Sequence, residues 1–142
     1  MLTSEIILCN LIKESGWNMS YNNNIVLEML SSTFWDEIEN FVEGLVMDFK
    51  DDYLWDIFEE PVDYALYDCI EAMKVLYFSS EQKDKTEEIF GRLQIETAIE
   101  GYVHWDGENE WVGDRNVCLE VTFEFEVENH KCANLKLVYG LN

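Results

Sequence analysis

The side chains able to do chemistry in this chain are carboxylates, four thiols and two imidazoles. Cys9, Cys69, Cys118 and Cys132 include no pair at Cys-x-x-Cys spacing, the arrangement a zinc knuckle or redox dithiol requires. They are expected as free thiols of a reducing compartment, with Cys9 and Cys69 serving as small hydrophobes in helical apolar patterns. His104 and His130 have no second histidine at ligand spacing, which excludes a histidine-rich zinc site. The chain contains no G-x-S-x-G, G-x-x-x-x-G-K-S/T or G-x-G-x-x-G, so the common routes to an activated nucleophile or a phosphate cradle are missing. Adjacent acids such as Asp51–Asp52 and Glu59–Glu60 are poor acid–base dyads, because neighbours on a helix point in different directions. Asp106, Glu108, Glu110 and Asp114 lie in one oxygen-rich stretch, but its glycines fall at the wrong offsets for an EF-hand and the terminal Glu is absent. The reading is therefore of no catalytic residue, no metal and no cofactor.

What remains is charge. The 142 residues hold 30 acidic side chains against 9 basic ones, a formal −21. That excludes binding of nucleic acid through a basic face and electrostatic docking on anionic membrane. No apolar run exceeds four residues (Ile6 to Cys9, Val75 to Phe78), so no segment is expected to span a bilayer. Met1 to Glu5 lacks the basic start of a signal peptide, and the expected location is cytoplasmic. Residues 33–63 contain eleven acids and one Lys. A second concentration, Glu96, Glu100, Glu120, Glu124, Glu126 and Glu128, falls on alternate positions of strand-like segments. Each carboxylate alone is ordinary solvated surface, but the sum exceeds the net charge of roughly 2–8 that solubility asks of a small domain. Glu124, Glu126 and Glu128 would stand about 6.6–6.8 Å apart along a strand, close to the spacing of backbone phosphates. A phosphate mimic and a plain solvated face both predict that alternation.

These groups have to be positioned by a fold of ordinary core size, since apolar residues make up 48% of the chain. Residues 4–14 read as a helix between Ser4 and Gly16, and residues 25–31 as a short helix after an Asn-rich loop. Phe34, Ile38, Phe41, Leu45 and Phe49 recur at helical spacing behind a Thr33 cap, with Lys50-Asp51-Asp52 ending the pattern. Pro61 suits the first position of another helix, with Val62, Leu66, Cys69, Ile70, Met73, Leu76 and Tyr77 as its apolar side. A short charged helix is expected over 81–91. The period then becomes two: a strand over 93–105, a loop over 106–116, and a strand with Val117, Leu119, Val121, Phe123, Phe125 and Val127 on one face. Asn129-His130-Lys131 reads as a turn, and Leu135, Leu137 and Tyr139 as the last strand. Trp111 is either an interface anchor at a loop tip or a side chain folded back on the core.

The expected fold is α+β: N-terminal helices, about 1–91, packed on a C-terminal three-stranded antiparallel β-meander, about 92–142, in one compact domain. The expected function is inhibition. An acidic protein of this size would bind and neutralise a basic nucleic-acid-acting protein, with an immunity protein against a bacterial nuclease toxin as the leading class. A phage or plasmid DNA mimic opposing a restriction or CRISPR enzyme, and an adaptor subunit without inhibitory action, are the alternatives. The expected partner-binding residues are Asp36, Glu39, Glu43, Asp48, Asp51, Asp52, Trp55, Asp56, Glu59, Glu60 and Asp63. Tyr53, Leu54, Ile57 and Phe58 among them are too apolar for an idle connection, and Leu54 and Phe58 are expected to plug the helix core.

Overall fold

The computed structural model describes residues 21–140. The expected helix over 4–14, Cys9 and the first half of the Asn-rich loop, 17–20, lie outside the described residues, and of the rest Asn23 and Asn24 open the first helix in place of the expected loop, with Asn22 as its cap. The described elements run in the order α1 (Asn23–Thr33), α2 (Trp35–Met47), α3 (Asp51–Phe58), β1 (Tyr64–Lys83), β2 (Thr86–Trp105), β3 (Glu108–Glu128) and β4 (Lys131–Tyr139). The strands form a four-stranded antiparallel meander in the order β1-β2-β3-β4. The α+β arrangement holds, with four strands in place of the expected three.

The added strand comes from residues expected to be helical. Tyr64–Lys83 is one 20-residue strand, and Glu81 to Gly91 forms its end, a two-residue turn at Asp84-Lys85 and the start of β2. An i, i+4 pattern fits a strand face as well as a helix face, since four is twice the pleat period of two and about the 3.6 residues of one helical turn. Positions 62, 66 and 70 were therefore ambiguous. The aromatic content of β1, with Tyr64, Tyr67, Tyr77 and Phe78, favours a pleated strand. As an edge strand it buries little of either face, so its alternation is weak. Pro61 sits just before the strand, where its missing N–H costs no ladder bond.

Two further boundaries move. Thr33 ends α1 instead of capping α2, and only Phe34, whose N–H donates to the Leu30 carbonyl at 2.9 Å, separates those helices. The expected loop over 106–116 shrinks to Asp106-Gly107, with φ of 50° and 81°. An Asp-Gly pair between strands favours a tight hairpin because both central residues of such a turn need a left-handed backbone. Asn129-His130, with φ of 51° and 66°, makes the β3–β4 turn as expected.

The chain divides into two compact units. The first holds the described residues up to Trp35, Met73–Gln94 and the chain from Glu120 onward. Asn22 caps α1 by accepting the Ile25 N–H at 2.9 Å, and α1 buries Val26, Met29 and Leu30. Phe34 meets Phe125 with ring centroids 5.6 Å apart, and Ile89, Leu93, Val121 and Phe123 complete this core. The second unit, Asp36–Ala72 and Ile95–Leu119, buries Ile38, Val42 and Val46 of α2 and Leu54 and Phe58 of α3, with Ile95, Ile99, Val117 and Leu119 of β2 and β3.

Candidate functional site

Helix α3 is built to present acids. Asp51 and Asp52 occupy its first turn, where the helix dipole favours anions. Leu54 and Phe58, four residues apart, are buried, as expected for a plug of the helix core. Asp51, Asp52, Trp55, Asp56 and Glu59 consequently share the opposite stripe, all exposed, with Trp55 53% accessible. The segment read as a connection is thus a helix, and Glu59 closes it in the left-handed region (φ 57°), its N–H donating to the Trp55 carbonyl at 2.8 Å.

Phe58 locks that helix in place. Its ring lies over Gly101 of β2, where any Cβ would stand 2.6 Å from the ring. The Arg115 guanidinium sits 5.2 Å from the ring centroid and donates to the Phe58 carbonyl at 3.4 Å. The chain beyond α3 is held by the Asp63 N–H donating to the Tyr102 carbonyl at 2.9 Å, and by the Asp63 carboxylate accepting the His104 N–H at 2.6 Å. Tyr64 and Tyr102 stack 5.4 Å apart beside it.

Helix α2 repeats the pattern. Ile38, Val42 and Val46 face inward, while Asp36, Glu43 and Asp48 are exposed. Glu39 is half-buried and accepts the Tyr67 hydroxyl at 2.6 Å; burial first, then this carboxylate, pushes the Tyr67 phenol up, keeping it a donor. Of the eleven expected contact residues, Glu39 and Asp63 therefore have structural tasks, and all but Glu39 are exposed. All eleven fall within the second unit.

That unit carries 19 acidic side chains and 2 basic ones, so −17 of the chain's −21 resides in 62 residues. The two bases are Lys50 and Arg115, and Arg115 is engaged with Phe58. The rest of the chain has 11 acids against 7 bases. Like charges about 7 Å apart repel by about 0.6 kcal/mol even in bulk water. Concentrating them in one unit opposes folding, and an oppositely charged surface would relieve it.

The carboxylate row on β3 is differently situated. Glu124 lies opposite Lys136 and Glu128 opposite Lys131, and a register shift between Glu124 and Glu126 interrupts even spacing. Glu126 accepts from the Asn134 amide at 2.7 Å. Glu124 hydrogen-bonds Glu88, which pairs with Lys83 at 2.5 Å. The hydrogen bond to Glu88 holds the Glu124 carboxyl above its usual range, whereas Lys83 holds Glu88 below its own. These groups border a groove of about 530 Å³ with Tyr77 and Phe90. Two of the three members thus face a lysine across the ladder and the third is bonded to an amide, partners of a kind the stripe on α3 does not have.

Trp111, weighed above as an anchor or a side chain folded back on the core, is 59% exposed, and a second tryptophan that the sequence reading did not single out, Trp105, is 70% exposed beside the Asp106-Gly107 turn. The signal was the Asp-Gly pair itself, which makes this stretch a projecting hairpin and not a loop. Among the described residues no group of three or more His, Cys, Asp or Glu side chains is arranged to hold a metal ion. Cys69, Cys118 and Cys132 are free thiols; Cys69 lies on a strand, not a helix, and burial raises the Cys132 thiol to about 11. No described helix is long and apolar enough to cross a membrane. The chain matches no known family model, no curated protein and no solved structure.

Proposed function

We propose that this protein is an acidic inhibitor that binds and neutralises a basic nucleic-acid-acting protein, acting as an immunity protein does against a bacterial nuclease toxin. The observation that carries the reading is the −17 concentrated in one unit, eleven of whose 19 acids fall in residues 36–63 on and around α2 and α3, with Lys50 and Arg115 as its only cations. Buried Ile38, Val42, Leu54 and Phe58 oblige those helices to display their acids in register. Such a surface steers a cationic partner toward it and accelerates encounter. The exposed Met47 and Trp55 among the acids supply apolar contact of the kind found at interface centres, which favours protein recognition over mimicry of DNA by charge alone. The protein is read as a binding protein without catalysis, and its free thiols accord with the reducing cytoplasm.

The test is capture of the partner from the native host with the full chain as bait, followed by assay of the captured protein. Recovery of a basic nuclease whose activity falls in stoichiometric proportion to added protein is the expected result. Recovery of a stable assembly with no nucleic-acid enzyme in it would favour the adaptor reading. Capture of a restriction or CRISPR enzyme would favour the DNA-mimic reading.

A further inference from the structure

We propose that the β2–β3 hairpin tip is the aromatic anchor of this interface, with the indoles of Trp105 and Trp111 receiving arginine side chains of the partner. The inference rests on the basic-partner reading above and names the place and chemistry of its specific contacts. Every residue from His104 to Trp111 is exposed, so neither indole is explained by core packing. Four carboxylates, Asp106, Glu108, Glu110 and Asp114, share this stretch of chain, Asp114 in contact with the Trp111 indole, and residues 103–114 contain no Lys or Arg. The tip is also braced by its own contacts. Its turn has two residues, the His104 ring nitrogen and Asn109 side-chain oxygen meet at 3.0 Å across the hairpin, and the His104 backbone is tied to Asp63. The Trp111 indole N–H donates to Asp114 at 3.3 Å, which fixes the ring and leaves it accessible. An anchor already in its bound conformation loses little freedom on association.

The chemistry selects arginine. A planar guanidinium stacks on an indole face while its edge donates to a carboxylate alongside, and here both groups are supplied within a few residues. A lysine ammonium satisfies one of these at a time, and its tighter hydration resists stacking. A second copy of this chain is the poorer occupant, because it would bring four more carboxylates against these four.

The experiment titrates the isotope-labelled full chain with octa-arginine and octa-lysine peptides at low salt and follows the indole N–H resonances. Three variants run in parallel: W105A/W111A, W105F/W111F, and the helix reversal D51K/D52K/D56K/E59K. The expected result is that octa-arginine binds and shifts the two tip indoles. W105A/W111A should weaken it about tenfold, the phenylalanine pair should recover part of that loss, and octa-lysine should change by less than about threefold. If octa-arginine binds the native chain and W105A/W111A equally while the helix reversal abolishes binding, the anchor is refuted and the basic-partner reading stands. If neither peptide binds the native chain, that broader reading fails and the anchor with it. Self-association, or binding to zwitterionic lipid vesicles, that W105A/W111A removes would assign the tip to those occupants and overturn the proposal.

Discussion

Replacing Gly101 by alanine tests whether Phe58 is the lock that orients the acidic stripe. The added Cβ would stand 2.6 Å from two ring carbons of Phe58 and 3.1 Å from a third. Carbon–carbon contacts are comfortable at about 3.5–4.0 Å, so the ring must retreat by about 1 Å. It has little room to do so: Phe58 is 1% exposed and Arg115 lies over it. Overpacking of this kind costs roughly 1–3 kcal/mol. The loss of glycine's freedom in the unfolded chain offsets roughly 0.4–1 kcal/mol of that, leaving a net destabilisation of about 1–2 kcal/mol. Gly44 is the control of opposite sign. It is exposed within α2 and nothing lies within 4 Å of its added Cβ, so Gly44→Ala should stabilise by about 0.5–1 kcal/mol. Urea melts of the two variants, read at equal m-value, measure both effects. A Gly101→Ala protein as stable as the parent would show that Phe58 is not confined as described, and that α3 is not locked by it.

Three further outcomes are expected. The Glu88–Glu124 pair makes stability pH-dependent in a defined sense. Glu124's raised carboxyl contributes stability that is lost as pH rises through its folded pKa, whereas Glu88's depressed carboxyl contributes stability that is lost as pH falls through its own. Glu124→Gln keeps a donor to Glu88 without the titration, so it should gain on the parent at pH 8 relative to pH 4.5; an equal difference at both values would refute the shared proton. Screening should stabilise the folded chain, because lengthening or shortening the Debye length between about 30 Å at 0.01 M and 3 Å at 1 M salt acts on the crowded acids of the second unit. Thermal melts that do not rise with sodium chloride would show that repulsion costs this fold nothing. Tyr67→Phe should lower stability by roughly 1 kcal/mol in urea melts through the lost bond to Glu39, and an unchanged midpoint would show that bond to be idle.

Much of this fold was legible where pattern and burial agree. The odd-numbered apolar run from Val117 to Val127 is buried throughout, and the Ile38–Val42–Val46 row lies inside α2. The stretch from Val62 to Tyr77 was misread because a long edge strand buries too little for alternation to stand out, and its pairing with β2 is a tertiary fact that local spacing does not encode. The acids of α3 could be chosen from sequence by density alone. Their common direction could not, since the segment read as a connection, and only as a helix does the buried Leu54–Phe58 pair set the opposite stripe. Nor could the neighbours of Glu124 and Glu126 be seen, because Lys136 and Asn134 come beside them only through the β3–β4 register. Trp111 was legible as a candidate anchor, but Trp105 and the hairpin that carries both were hidden by reading an Asp-Gly turn as part of a longer loop.

The central claim is that recognition resides in the acids of the second unit and not in the glutamate row on the sheet. It is tested most directly by calorimetric titration of the captured partner with two reversals of equal charge, D51K/D52K/D56K/E59K on α3 and E120K/E124K/E126K/E128K on β3, each checked for folding by circular dichroism. The α3 reversal is expected to abolish binding while the β3 reversal retains it. Binding retained by the α3 variant and lost by the β3 variant would place the site on the sheet and contradict the account.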